Sequence, residues 1–179
     1  MDRLGAIRPD ICGPLEMLRG LSRLPFAALT RRIQLRCASF RVDVLSQRIA
    51  AVGYDERAII GVRQGARSLV REVSLNCGAR PVVFAHSVVE PRALRGPWHM
   101  LMTLGAQPLG AALFSDPCVE RFALHYRQIN RRHTLYGRAG ELIKRPPASL
   151  WARRSLFVLR GSRLLVTEVF LPAILTLAP

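Results

Sequence analysis

Two pairs of strand-like segments, each joined by a short turn that contains glycine, constrain the fold of this chain more than any other feature. Residues 68–76 alternate in polarity and are followed, after a Cys77-Gly78 turn, by the run VVFAHSVV. Residues 153–160 alternate again, and a turn at Gly161 leads into LLVTEVFL. Such pairs are typical of β-hairpins, whose strands pair antiparallel. The chain is therefore expected to build an antiparallel sheet.

A further strand and several helices are expected around these hairpins. Residues 40–44 alternate apolar with charged side chains, as in a strand exposed on one side. AALTRRI, just before them, predicts a helical turn. Leucines at a spacing of three predict an earlier helix: Leu15, Leu18 and Leu21. Hairpins with helices grouped between them predict an α+β fold, built on a single antiparallel β-sheet in one domain over residues 1–179.

The segment between the two hairpins is expected to be mainly helical. No charged residue occurs between Gly96 and Ser115, but proline and glycine divide this window into two short helical pieces, so no transmembrane segment is expected. A helix is predicted next, with Asp116 as its N-cap and an apolar face that reaches Tyr126. Residues 131–149 are rich in Arg, Gly and Pro and predict a mobile loop that could act as a lid.

The charge balance points to anionic partners. Lysine and arginine number 27 against 12 acidic residues, which gives a formal net charge of +15. A positive field attracts nucleic acids, anionic membranes and small anions alike. The arginines are scattered along the chain, so a solvated basic surface is an equal alternative. Aromatic residues make up 7% and no nucleic-acid-binding motif is found, which argues against a specific nucleic-acid partner.

The cysteines and histidines give no sign of a metal site. Four cysteines lie far apart, at positions 12, 37, 77 and 118, and none of the four histidines stands at ligand spacing beside them. The N-terminal segment has no continuous apolar stretch ahead of a cleavage site, so no secretory signal is expected. We therefore expect a cytoplasmic protein with reduced thiols and no metal.

Two charged residues fall on the apolar faces of predicted strands. Arg71 shares its face with leucine and valine, and Glu168 shares its face with leucine, valine and phenylalanine. Buried charges are costly unless they are paired. Three interpretations remain open: a buried salt bridge between the two residues, a strand turned so that its charge meets water, or an enclosed polar site for an anion. His86 shares its face with Phe84 and Val88, where a histidine is more often a core residue than a catalyst.

Three segments in this order and spacing resemble the chorismate lyase family: LVREVSL, TLGAQPLGAALF and LWARRSLFVLRGSRLLVTEVFLP. The resemblance extends from about Leu29 to Pro172. It implies a single antiparallel sheet with helices packed around it, and an enclosed ligand site under helical flaps. It also implies the reaction, in which chorismate loses pyruvate and becomes 4-hydroxybenzoate for ubiquinone. This favours the enclosed site over the salt bridge.

The resemblance also implies roles for individual residues. Arg71 and Glu168 are the candidate catalytic residues: Arg71 would bind the ring carboxylate and Glu168 would meet the ring hydroxyl. The backbone amide of Leu109 would assist Arg71, and Leu29 would line the same pocket by its backbone.

The ligand of the second carboxylate of chorismate is an open point. The family often has arginine where this chain has His86, a position that resembles part of the path for the pyruvyl carboxylate. Arg153, Arg154 or an arginine of residues 131–145 could hold that carboxylate instead.

The implied chemistry needs few residues. Loss of the enolpyruvyl group makes the ring aromatic, so the protein has to hold two carboxylates, orient the breaking C–O bond and manage one proton. No metal or organic cofactor is expected, the chain is expected to act as a monomer, and the enclosed product is expected to inhibit turnover. An alternative from another class is a small-molecule sensor domain of the same fold, as in some bacterial transcription regulators.

Overall fold

The computed structural model describes residues 28–177, and the predicted helix at Leu15, Leu18 and Leu21 lies outside this range. Within it, seven strands form an antiparallel sheet in the order β1-β2-β3-β7-β6-β4, with β5 also paired to β6. The strands are β1 (Phe40–Ala51), β2 (Arg67–Cys77), β3 (Arg80–Val89), β4 (Glu120–Arg121), β5 (His125–Asn130), β6 (Ser149–Leu159) and β7 (Ser162–Phe170). The α+β class and the antiparallel sheet are confirmed.

Both predicted hairpins are confirmed, and their turns explain why they form. Gly78, between β2 and β3, has a φ of 60°. Arg160 and Gly161, between β6 and β7, have φ values of 50° and 78°. Two successive residues with positive φ are the requirement of a type I′ turn, whose twist matches that of paired strands. The second hairpin therefore depends on glycine at position 161.

Within residues 28–177, seven short helices pack against the two faces of the sheet. The α-helices are α1 (Ala28–Leu35), α2 (Tyr54–Ile60), α3 (Leu109–Ser115) and α4 (Thr134–Gly140). The 3₁₀ helices are Pro91–Arg95, His99–Met102 and Pro172–Thr176. Within residues 28–177 no helix has the length and apolar character needed to cross a bilayer.

The two faces of the sheet carry separate cores. We call the face covered by α1, α3 and the 3₁₀ helices the front face, and the face covered by α2 and α4 the back face. Each face has two apolar clusters. Front-face members include Leu29, Ile33, Leu75 and Phe170 in one cluster, and Trp98, Leu101, Leu113 and Phe157 in the other. Back-face members include Phe84, Leu135, Tyr136 and Val169 in one, and Ile60, Val70, Val88 and Leu165 in the other. The central strands β2, β3 and β7 are therefore buried on both sides.

The helix predicted from Asp116 is wrong. Asp116 caps only a local turn, in which its side chain accepts a hydrogen bond from the Cys118 amide at 2.9 Å. The chain then runs along the free edge of β6 as β4 and β5, and the Phe122 amide donates to the Leu156 carbonyl at 2.9 Å. Backbone pairing with an open sheet edge outweighs the capping signal, because an edge strand offers a row of unsatisfied backbone groups.

The segment 131–149 is also placed differently from the expected lid. It contains α4, whose Leu135, Tyr136 and Ala139 are buried in the back-face core. The Tyr136 hydroxyl donates to the Pro147 carbonyl and fixes the loop that follows. The segment therefore covers the back face and forms no lid over the front face.

A disulfide joins Cys37 and Cys77, with their Cα atoms 5.6 Å apart, so the expectation of reduced thiols is wrong for this pair. The two residues are 40 positions apart in sequence. They meet because Phe40 at the start of β1 pairs with Cys77 at the end of β2. The bond ties the chain just after α1 to the end of β2. Among the described cysteines, Cys118 is free and exposed.

Reduction of this disulfide should destabilise the fold. The bond closes a loop between residues 40 apart, and the loss of that closure should lower the free energy of unfolding by about 4 kcal/mol. Urea unfolding of the Cys37→Ser/Cys77→Ser variant measures this, with Cys118→Ser as the matched control that should leave stability unchanged. Alkylation of Cys37 and Cys77 in the native protein without reductant would contradict the prediction.

Candidate active site

A cavity of about 480 Å³, its mouth included, lies on the front face between the sheet, α1 and α3. Its floor comes from neighbouring strands, with Arg71 from β2, Ser87 from β3 and Glu168 from β7. The rest of the wall is mainly apolar and includes Val73, Leu75, Pro108, Leu113 and Val166. A concave, apolar site with a few convergent polar groups is typical of small-molecule binding.

Arg71 places a buried positive charge in the cavity floor. The residue is 3% exposed. Its Nη1 donates to Oε1 of Gln47 at 3.1 Å and its Nη2 to the Gly105 carbonyl at 2.8 Å. Burial lowers the pKa of Arg71, but a guanidinium still stays charged at neutral pH. No carboxylate within the described residues pairs with it, so the charge is left for an anionic ligand.

Glu168 pairs with Arg153 and not with Arg71. Arg153 lies directly opposite Glu168 in the β6–β7 register, and its Nε donates to Oε2 of Glu168 at 2.5 Å. Burial disfavours the charged guanidinium, but Glu168 and Tyr126 outweigh it and raise the pKa of Arg153. The salt bridge between Arg71 and Glu168, one of the open interpretations, is therefore absent from the described structure. The two charges instead lie in the same cavity with separate partners.

Leu109 and Leu29, the two residues predicted to face the ligand through their backbones, differ in position relative to the cavity. Leu109, the first residue of α3, lines the cavity together with Gly110. Leu29 does not: its side chain is 2% exposed in the front-face core, and the next residue, Thr30, lines the cavity. Thr30 faces Gly110, since a Cβ added at Gly110 would lie 3.7 Å from the Thr30 hydroxyl. The residue of α1 that lines the described cavity is therefore Thr30 and not the expected Leu29.

His86 lies on the back face, so the expectation that it contributes to the substrate path is wrong for this structure. Its neighbours Ala85 and Ser87 line the cavity, and strand alternation turns His86 the other way. Its Nε2 lies 3.2 Å from Oε1 of Glu56 and its Nδ1 lies 3.3 Å from Oε1 of Glu72. His86 is a buried bridge between two carboxylates.

Two of the arginines expected to replace His86 as the ligand of the second carboxylate have partners on the back face. Arg154 lies on the back face, where its Nη2 contacts Oδ2 of Asp55 at 2.6 Å and its Nε donates to the Thr167 hydroxyl. Among the arginines of residues 131–145, Arg138 donates to Glu72, and none of them lines the described cavity. Arg153 is the one of the three named alternatives that lies on the front face, and it is held by Glu168. The described structure therefore offers no second arginine in the cavity wall beside Arg71.

Sequence analysis missed the charge cluster on the back face, which consists of Glu56, Glu72, His86 and Arg138. Glu56 also accepts a hydrogen bond from the Gly53 amide at 3.1 Å, at the start of α2. Burial works against both charged forms, but the mutual hydrogen bonds outweigh it: the pKa of His86 rises to about 9 and the pKa of Glu72 falls to about 2. The pKa of Glu56 is lowered in the same way. Alternation alone does not place Glu72 and His86 on one face, because the register of β2 with β3 sets that, and it does not show the contact from α2.

The fold is an antiparallel sheet covered by helices on both faces. It is similar to the C-terminal domain of the histidine utilization repressor from Pseudomonas syringae, with a TM-score of 0.58 and 14% identity over 75% of this chain and 93% of that chain. The effector domain of PhnF from Mycobacterium smegmatis has a TM-score of 0.56 and 13% identity, over 83% of this chain and 91% of that chain. At these identities the likeness shows the fold alone.

Sequence comparison identifies the family. The family model described as chorismate lyase matches residues 24–178. A Nitrosomonas europaea protein named "probable chorismate pyruvate-lyase" is 48% identical over 82% of this chain and 83% of its own length. A Nitrosospira multiformis protein of the same name is 49% identical over 84% of each chain. The chain belongs to the chorismate lyase family.

The back-face cluster should make stability depend on pH. The raised pKa of His86, about 9, means that its contribution is complete below pH 6.5 and is lost as the pH rises toward 9. Shifts of this size correspond to up to about 3 kcal/mol. The free energy of unfolding should therefore fall between pH 6.5 and 9, as measured by urea titration.

A variant and a control separate this effect from general alkaline destabilisation. His86→Gln should remove the fall, whereas His99→Gln, at an exposed position, should keep it. Equal pH profiles for the wild type and His86→Gln would contradict the assignment of the alkaline effect to His86.

At the acid end, the contribution of Glu72 to the free energy of unfolding is complete above pH 4.5 and is lost toward pH 2.

Proposed function

We propose that this protein eliminates pyruvate from chorismate and forms 4-hydroxybenzoate. The observation that carries the proposal is the buried guanidinium of Arg71, which has only neutral partners among the described residues and faces a cavity that Glu168 also lines. Family membership and the names of the relatives support the same reaction. The step would supply the aromatic precursor of ubiquinone in the cytoplasm. The chain would act as a monomer.

The cavity fits a ring with polar groups at opposite ends. Arg71 and Glu168 come from β2 and β7, which lie on either side of β3. Ser87 of β3 pairs with Arg71 and Ala85 pairs with Glu168, so the two backbones are two strand spacings apart across the sheet and two residues apart along it, roughly 12 Å. This leaves room for a six-membered ring between the side chains. The ring carboxylate binds Arg71, with the amide of Leu109 as a second donor. The ring hydroxyl meets Glu168 at the other end.

The reaction requires little beyond this orientation. The C–O bond to the enolpyruvyl group breaks, and the neighbouring ring carbon that bears the hydroxyl loses its proton. The released enolate takes up one proton and becomes pyruvate, while the ring becomes aromatic. Glu168 either takes the ring proton as a base or anchors the hydroxyl while water or substrate carries that proton, and general acid–base help is worth roughly 100- to 10,000-fold. The cavity residues supply position and charge, and no cofactor enters this scheme.

Incubation of the purified protein with chorismate tests the proposal directly. We expect 4-hydroxybenzoate and pyruvate in equal amounts, at a rate that EDTA does not change because no step calls for a metal. Product formation is followed by chromatography and pyruvate by a coupled assay. Binding of 4-hydroxybenzoate without turnover would instead favour a sensor domain of the same fold.

Arg71→Met should weaken product binding and turnover together. Loss of a charge-assisted contact in an enclosed site costs on the order of 2–5 kcal/mol, so the affinity for 4-hydroxybenzoate should fall at least about 30-fold. Isothermal titration calorimetry measures the affinity, and circular dichroism checks the fold. The matched control is Arg67→Met on the same strand, where the guanidinium is exposed and bonds the Ile49 carbonyl. A folded Arg71→Met protein with unchanged affinity would exclude Arg71 as the carboxylate ligand.

A further inference from the structure

Arg153 is the most deeply buried charge near the cavity that the proposed reaction does not use. It is 2% exposed and lies opposite Glu168 on the neighbouring strand. Glu168 lines the cavity, whereas Arg153 is absent from the described lining and contacts the carboxylate from behind. Any effect of Arg153 on a ligand in this cavity is therefore exerted through Glu168.

The surroundings of Arg153 hold it in this position. The strong pairing with Glu168 and the contact with Tyr126 raise the pKa of Arg153 against the effect of burial. Its guanidinium also lies over the Phe170 ring, with Cζ 5.7 Å from the ring centre. A half-buried second cation, Arg121, donates to the Ser155 hydroxyl nearby and is affected by the charges of both Arg153 and Glu168. The carboxylate is thus held by Arg153, which is absent from the described cavity lining, in the field of a second cation.

A carboxylate fixed in this way acts as a hydrogen-bond acceptor. An ionised carboxylate has about four acceptor positions and no donor, and the bond from Arg153 Nε uses one of them. A ring substituent that donates a hydrogen bond is therefore favoured at this end of the cavity, and one that cannot donate leaves an acceptor position of the buried carboxylate unfilled.

We propose that Arg153 is a positioning residue that fixes Glu168 as an acceptor and thereby makes the cavity select aromatic acids with a hydroxyl opposite the carboxylate. This inference rests on the proposed function, because it takes the ring carboxylate to lie at Arg71. Arg153 does not touch the ligand. Its effect is on the recognition of the hydroxyl alone.

The test compares two ligands that differ only in the hydroxyl, 4-hydroxybenzoate and benzoate. The wild type should bind 4-hydroxybenzoate more tightly than benzoate by about 10- to 100-fold, as expected for a hydrogen bond to a charged group. In Arg153→Met this ratio should fall below about 3-fold while the affinity for benzoate stays within about 2-fold of wild type. Calorimetric titration gives all four dissociation constants.

The controls separate this role from a merely structural one. Arg154→Met removes the neighbouring arginine, which is on the back face, and should keep the wild-type ratio. Arg153→Lys keeps a cation without the planar fork of arginine and should give an intermediate ratio, which also provides the readout if Arg153→Met does not fold. An equal loss of affinity for both ligands, or an unchanged ratio in both Arg153 variants, would overturn the inference. A wild type that binds neither ligand would overturn the proposed function itself.

Discussion

The burial of β2, β3 and β7 on both sides is the constraint on which the rest of the structure depends. Away from the strand ends, every polar side chain on these strands is enclosed, so it needs a partner from the fold or from a ligand. Neighbouring residues on one strand go to opposite faces, and Arg71 and Glu72 are such a pair. On the back face Glu72 is neutralised by His86 and Arg138. On the front face Arg71 has only neutral partners among the described residues, which leaves its charge for a ligand.

The parts of the fold that follow from local pattern could be predicted from the sequence. Alternation with a period of two gave both hairpins and placed Arg71 and Glu168 among apolar side chains. What could not be predicted depends on contacts between distant segments. The position of His86 relative to the cavity is set by the register of β2 with β3, and the edge of β6 converts a segment with helical capping signals into strands.

Which of two neighbouring residues faces the cavity also depends on contacts between distant segments. Only one of Arg153 and Arg154 can point to the front face, and the register of β6 with β7 selects Arg153 by placing it opposite Glu168. On α1 the cavity takes Thr30 where Leu29 was expected, because the helix rotates its leucine into the core. The meeting of Cys37 and Cys77 requires the pairing of β1 with β2, which local composition does not reveal.

The disulfide also makes the two helical walls of the cavity unequal. The chain leaving α1 is covalently anchored to the end of β2, two residues beyond Leu75 in the cavity lining. In the described part of the chain, α3 has no such anchor; it is held by packing, through Leu113, and by the segment around Gly105 that contacts Arg71. One helical wall of the cavity is therefore covalently anchored, and the other, within the described residues, is held by non-covalent contacts alone. Because the Gly105 carbonyl accepts a hydrogen bond from Nη2 of Arg71, an anion that binds this guanidinium competes with that carbonyl.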